Sequence, residues 1–372
     1  MDNTKQVISS TEQQANEADQ NLTKVENIPT AKEILLSTKT QSLNKYYWAF
    51  LPLVLAIIGN ILGGVFTFLP ILLFIILIPL DFIVKDKSKV EIKDKKTVSN
   101  KILFWMVGLQ VAVIVTFLWK MVLVNRSLYG ISFGDWILPA ILGNGLVIGL
   151  AVSGGAHELL HRREQNLKDL GTAQLALVGY GHYTTEHIQG HHRNVGYAND
   201  PSTASKGQNF YSFFINALKQ EFSDAWNYEA TRFIKKNLSP NTMDNQVFKW
   251  TIYSAFFYLA ILLFCGVFGL FSYLMISLIA VGYHAMIVYS QHYGLVKDPD
   301  SRVDDTISWQ TDSVMTENFV LGFGNHSDHH TRVTKTYTEI IQKEDGPLMP
   351  CGYFGIIPLA LIPPLWFKYF GK

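Results

Sequence analysis

Several stretches of this chain run for about the thickness of a lipid hydrocarbon core with almost no charged side chain. That feature constrains the fold more than any other. In lipid a backbone can satisfy its own polar groups only as a helix or a closed barrel, and a helix needs about 20 apolar residues to cross. Trp48 to Leu80 is too long for one span and is broken by Gly59, Asn60, Gly63 and Gly64, so it reads as two helices with a tight turn between them. Ile102–Val124 and Ile131–Ser153 form a second hairpin, although Lys120 interrupts the first of them, and Trp250–Phe271 with Ser272–Ser290 forms a third. The expected spans are 47–62, 65–84, 102–124, 131–153, 250–271 and 272–290. Composition agrees: 48% of residues are apolar and 16% charged, against roughly 25% charged in soluble domains. The expectation is an all-α, six-helix integral membrane bundle built from three hairpins.

The polar segments orient that bundle. Residues 1–44 are rich in Gln, Asn, Thr, Ser and Lys without an apolar core segment, so they read as a disordered arm rather than a signal peptide. Residues 45–372 form the membrane domain. Lys85–Lys101 carries seven lysines and lies on the same side as the basic Arg162–Lys168 stretch, while the loop after Val124 offers only Arg126. The positive-inside rule then places both termini and the polar region Gly154–Lys249 in the cytoplasm. The tail, Tyr353–Phe370, is apolar but interrupted by Pro358, Pro363 and Pro364, and reads as an interfacial or re-entrant segment.

Charge and cysteine content narrow the chemistry. A net charge of +1 supports no general attraction to nucleic acid. The two cysteines, Cys265 and Cys351, cannot build a disulfide framework or a fused rubredoxin or ferredoxin, whose iron centres need about four thiolates.

Nine of the eleven histidines fall at or just beyond the cytoplasmic ends of these helices. His157 and His161 stand four apart, His187 and His191 repeat that spacing with His192 adjacent, and His326, His329 and His330 share a helical face. His292 follows the last span. A single HExxH is weak evidence for a metal, but three such clusters at a common depth point to metal binding. One ion takes about four to six ligands, so nine imidazoles imply two ions. Imidazole suits Zn, Cu, Fe and Ni alike, and ligand type alone does not choose between them. Neutral ligands leave the ions' charge uncompensated, which makes Glu158, Glu186 and Asp328 candidates for outer-shell carboxylates. His182 could orient Glu186, and His284, within a span, should face the bundle interior.

These blocks resemble the integral-membrane di-iron family that includes the fatty-acid desaturases, and within it the bacterial alkane 1-monooxygenases. HELLHR at 157–162, VGYGHYTTEHIQGHHR at 178–193 followed by Asp200-Pro201, HYGL at 292–295 and HSDHH at 326–330 carry the resemblance, which extends from the first hairpin to the tail. It implies a cytoplasmic di-iron cap in which His157, His161, His187, His191, His192, His292, His326, His329 and His330 hold two Fe ions. It also implies O2-dependent terminal hydroxylation of alkanes to 1-alkanols, with electrons from a reductase through rubredoxin. Gln291 stands where the family has Glu, Gly324-Asn325 where it has Gln-Arg, and the segment between Gly294 and Trp309 is short. An external donor fits a chain that has no Cys-rich centre and no GxGxxG fingerprint. A bilayer-dissolved alkane would reach the metals between helices, with Leu73 and Phe74 as candidate tunnel residues.

Three other readings compete. A fatty-acyl desaturase or hydroxylase on the same metal pair differs only in product. A zinc protease built on HELLH leaves seven clustered histidines unexplained. A metal transporter would place its ligands near the bilayer midplane.

Overall fold

A computed structural model of the chain describes residues 43–86, 96–126, 136–297, 301 and 303–371. Most of the amino-terminal arm, much of the lysine-rich loop and residues 131–135 of the expected fourth span lie outside the described residues. Within them the chain is helical, with isolated bridges but no strand.

Five helical segments are long and apolar enough to cross a membrane, the build of a multi-pass membrane protein. Helix α1 (Phe50–Leu62) is led by a 3-10 turn, Leu43–Ala49. Helix α2 (Leu69–Ile83) is led by another, Gly64–Phe68. Helix α3 covers Lys96–Arg126 and α4 covers Ile137–Ala151. The fourth segment does not stop at Ser153 as expected. It continues through a π-turn, Val152–Ala156, into the short helix His157–Leu160. Helix α5 (Gln165–Ala176) and α6 (Phe210–Ile234) follow.

The fifth crossing segment, α7 (Gln246–His292), holds 47 residues. A straight helix of that length would run about 70 Å, twice the hydrocarbon thickness of about 30 Å. It is bent instead at Gly266, where φ is 71°, and the six-span count rests on taking its two arms separately. The expected turn at Phe271/Ser272 is therefore displaced to Gly266. A side chain there would meet the left-handed strain of L-residues, and its Cβ would lie 2.4 Å from Asn125 Oδ1.

Two devices hold the spans together where lipid supplies no hydrophobic drive between helices. Gly145 and Gly149 on α4 let its backbone meet α7: a Cβ at Gly149 would lie 2.8 Å from the Ala280 carbonyl, and one at Gly145 would lie 2.6 Å from Ile279 Cβ. Deeper in the bundle, Asn60 of α1 and Asn144 of α4 exchange amide hydrogen bonds of 3.0 and 2.9 Å, with their spare donors on the Val113 and Ala140 carbonyls.

Past α7 come the short helices α8 (Val314–Phe319), α9 (His326–Thr331), α10 (Ile356–Leu361) and α11 (Pro363–Phe370). The last two are too short to span, as the prolines suggested. Asp81, near the end of α2, fastens the tail. It is fully buried, accepts the backbone N–H groups of Phe354 and Gly355 at 2.8 Å each, and takes hydroxyl hydrogen bonds from Ser313 and Thr316.

Replacing Gly149 by Val should force α4 away from α7 and cost about 1–3 kcal/mol. Because α4 runs on into His157, the variant should show both a lower unfolding midpoint in detergent and a lower metal content than the parent.

Candidate metal centre

The nine histidines meet. His157 and His161 come from the end of the α4 segment, His292 from the end of α7, and His326, His329 and His330 from α9. His187, His191 and His192 come from a helical run, Tyr183–Glu186 and His192–Asn194, joined by a π-turn at His187–His191. They sort into two groups able to hold a metal: His157, His161, His187 and His329, and His191, His292, His326 and His330. Within each group the ligand nitrogens lie within 4.8 Å of one another. His192 borders both, its ring 4.8 Å from that of His161 and 4.7 Å from that of His330.

The grouping departs from simple helical spacing. His157 and His161 share a group, but His187 and His191, also four apart, do not, because the π-turn between them adds a residue to the turn. On α9, His326 and His330 share a group while His329 turns to the other.

Nitrogen chemistry shows that the arrangement fits metal ions. His187 Nε2 lies 2.8 Å from His157 Nε2 and 3.0 Å from the Nε2 atoms of both His161 and His192. A ring nitrogen carries either one proton or one lone pair, so it cannot hydrogen-bond to all three. Lone pairs converging on a cation resolve the conflict. In the same way, His292 Nε2 and His329 Nε2 are buried without a hydrogen-bond partner. On the far side of the rings, Asp200 holds His191 Nδ1 at 2.9 Å, the Tyr183 hydroxyl holds His187 Nδ1 at 3.1 Å, and the Ile307 carbonyl lies 3.4 Å from His292 Nδ1. Such anchors fix each tautomer with Nε2 turned inward.

Of the three carboxylates expected around the metals, Glu158 and Asp328 pair with cations, and Glu186 is buried with no side-chain partner among the described residues. Glu158 pairs with Arg162 at 3.1 Å. Asp328 is fully buried and gathers Arg332, Lys335 and the Ile341 amide. Glu186 is fully buried, and burial first, then the charges of Glu221 and Asp200, push its carboxyl well above the usual range. Asp200, by contrast, touches a ring directly. Residue reasoning overlooked it because it stands nine positions beyond His191, outside any helical spacing, although the Asp-Pro pair marked the place. Of the departures from the family pattern, Gln291 donates to the Tyr353 hydroxyl at 2.6 Å and Asn325 lies 3.5 Å from Glu317. His284 faces the interior as expected, with Nδ1 3.0 Å from Ser153 Oγ. His182 packs against Tyr180 and Phe222. Leu73 is half-buried, and Phe74 is buried edge-on against Tyr283 and Phe354.

An all-helical membrane fold with a paired polyhistidine centre defines the class, and comparison with known proteins supplies the family. The fatty acid desaturase profile matches residues 134–340, more than half of the chain, and the chain belongs to that family. It is 35% identical over 239 residues to alkane 1-monooxygenase 2 of Pseudomonas aeruginosa, covering 62% of this chain and 63% of that one. It is 30% identical over 268 residues to alkane 1-monooxygenase 2 of Alcanivorax borkumensis, covering 69% of each. It is 31% identical over 231 residues to the xylene/toluene monooxygenase hydroxylase component of Pseudomonas putida, covering 58% of each. The match thus spans less than two thirds of the length of the first and third of these relatives.

Two outcomes follow from this geometry. Asp200→Ala should weaken metal affinity about 10–100-fold, measurable by competition with a chelator. Burial, reinforced by the neighbouring imidazoles, holds His161, His187, His192, His326 and His330 well below the ordinary imidazole range, and burial lowers His329 to about 3. The unfolded chain, with imidazoles near 6.5, therefore binds more protons than the folded one in acid. Stability is full above that value and falls as pH drops below it. Metal-stripped protein should lose unfolding midpoint steadily below about pH 6.5, and metal-loaded protein should release its metal over the same range.

Proposed function

We propose that this chain is an O2-dependent hydroxylase of alkyl chains, converting alkanes to 1-alkanols at two irons, with electrons delivered by rubredoxin and its reductase. The two converging histidine groups carry the reading, and the names of the relatives give it its substrate class. His157, His161, His187 and His329 would hold one iron, and His191, His292, His326 and His330 the other, with His192 at the border as the ninth ligand. When bound, the iron pair supplies the O2 chemistry that breaks a terminal C–H bond, beyond the reach of any side chain.

The protein's own share is to orient and to exclude water. Asp200, Tyr183 and the Ile307 carbonyl aim the imidazoles. The Phe323 ring lies 4.3 Å from that of His157 and 4.7 Å from that of His326, giving the centre an apolar wall. Phe323 is held from behind: its carbonyl accepts from the Tyr353 hydroxyl at 3.0 Å. The next residue, Phe354, packs edge-on against Phe74. Leu73 and Phe74 would line the route by which an alkyl chain enters from lipid, aiming its end at the metals.

Residues 45–372 would constitute the oxygenase domain in a bacterial inner membrane, with the metal face in the cytoplasm. The bridge between Lys85 and Ser313 supports that orientation, because it puts the start of the lysine-rich loop beside the polar segment that leads to α9.

Protein purified in detergent and analysed by plasma mass spectrometry should contain two irons per chain, and a His187→Ala/His329→Ala double variant should lose them. With rubredoxin, its reductase and a series of alkanes from octane to hexadecane, the parent should yield 1-alkanols by gas chromatography. One zinc and no iron overturns the reading. Alkene-containing products from acyl chains replace it with a desaturase on the same metals.

A further inference from the structure

Outside the histidine centre, the acidic groups of the polar region are matched to cations: Glu158 to Arg162, Asp328 to Arg332 and Lys335, Glu317 to Lys45, and Glu229 to Arg232. Two buried carboxylates, Glu186 beside the histidine centre and Glu221 behind it, break this pattern. Glu221, on α6, is 3% exposed, and among the described residues no Lys or Arg pairs with it. Its partner is a phenol: the Tyr180 hydroxyl donates a short hydrogen bond to Glu221 Oε2. Burying an acid against a neutral phenol is a poor choice for stability, since both groups are desolvated and no charge is matched.

The placement of that phenol matters. The Tyr180 ring stacks on Tyr183 with centroids 4.9 Å apart and 15° between planes. Tyr183 stacks in turn on His187, at 5.0 Å and 23°, and its hydroxyl reaches His187 Nδ1. Two phenols in ring contact thus connect a proposed metal ligand to a buried carboxylate. On its other side Tyr180 meets His182 at 5.0 Å. His182 lines a cavity of about 270 Å³ with Phe222, Ser254 and Tyr258, and Phe222 is 42% exposed. The row therefore runs from the metal centre to the wall of an open cavity.

We propose that Tyr180 is a redox-active tyrosine, which gives up an electron to the oxidised metal centre through Tyr183 and His187 while its phenolic proton passes to Glu221. This inference rests on the oxygenase reading above. The oxidant is the metal centre after it has reacted with O2 without a substrate positioned to be hydroxylated. In the step the Tyr180 O–H bond breaks, its proton forms the Glu221 carboxylic acid, one electron reduces the centre by one unit, and a neutral phenoxyl remains. An external one-electron donor, with return of the proton from Glu221, restores the phenol. A phenol cannot hold a radical cation at neutral pH, so a proton acceptor in hydrogen-bond contact is required, and Glu221 is placed as that acceptor. Burial, the largest influence, pushes the Glu221 carboxyl up to about 7, so it can accept and return a proton near neutrality. The arrangement spares the imidazole ligands from an oxidising equivalent that finds no C–H bond.

The test uses full-length, iron-loaded protein, chemically reduced, mixed with O2 in the absence of alkane and freeze-quenched for electron paramagnetic resonance. Alkanol formation and O2 uptake are assayed in parallel. A signal with tyrosyl hyperfine structure is expected. It should narrow when ring-deuterated tyrosine is incorporated, and its yield should fall severalfold when alkane is present. Tyr180→Phe should abolish it at unchanged iron content. Glu221→Gln, which keeps the phenol and the shape of its partner, should slow its appearance by at least about tenfold. Alkanol formation with no tyrosyl signal, or with a signal that Tyr180→Phe leaves intact, overturns this inference and leaves the oxygenase reading standing. No O2 uptake and no alkanol from the loaded, reduced parent overturns the oxygenase reading, and this inference with it.

Discussion

Convergence of imidazole nitrogens from separate parts of the chain is the constraint on which the rest of this structure depends. His187 Nε2 faces three other imidazole nitrogens at 2.8–3.0 Å, closer than neutral lone pairs tolerate without a proton or a cation between them. The backbone nonetheless holds the rings there. Histidines reach the centre from the ends of α4 and α7, from the short helix α9 and from the run around the second π-turn, so no single element can relax to separate them. A set of imidazoles gathered from separate elements can bind a cation only in the folded chain, so metal binding would be coupled to folding.

The membrane spans serve that cage. Close approach at Gly145 and Gly149, and the paired amides of Asn60 and Asn144, set the distance and register of α1, α4 and α7. Asp81 then ties the end of α2 to the tail, the tail carries Tyr353, and Tyr353 braces Phe323 against two of the clustered histidines. A charge near the end of an apolar helix thus governs the apolar wall of a metal centre on another part of the chain.

Much of this was legible in the residues themselves. Span lengths and the absence of charge gave an all-helical membrane bundle, because bilayer thickness is an external ruler, but not where the fourth segment ends or where the last one bends. Histidine spacing and depth gave the cluster, because nine imidazoles at one membrane face have few other uses. What stayed hidden depends on local geometry that spacing arithmetic presumes. The i, i+4 rule holds for an α-helix, and the turn at His187–His191 is a π-turn, so those two histidines part company. The bend at Gly266 was missed because the glycine lies within an unbroken apolar run. Asp200 was passed over as an anchor because a contact across a loop leaves no period in the sequence. Glu158 and Asp328 sit inside the motifs yet pair with Arg162 and Arg332, since a buried acid on a helix needs a cation and the residue four positions on can supply it.

The two π-turns, at Val152–Ala156 and His187–His191, have a consequence for how such a site can change over time. Each adds one residue to a helical turn, rotating everything beyond it by about a quarter of a revolution relative to an α-helix. Substitution cannot undo that offset, because the residue count within the turn is what creates it. Only the loss or gain of a residue would, and either would swing a whole set of imidazoles out of the centre at once. The residue count within both turns is therefore a requirement of the centre's geometry, separate from which side chains fill them.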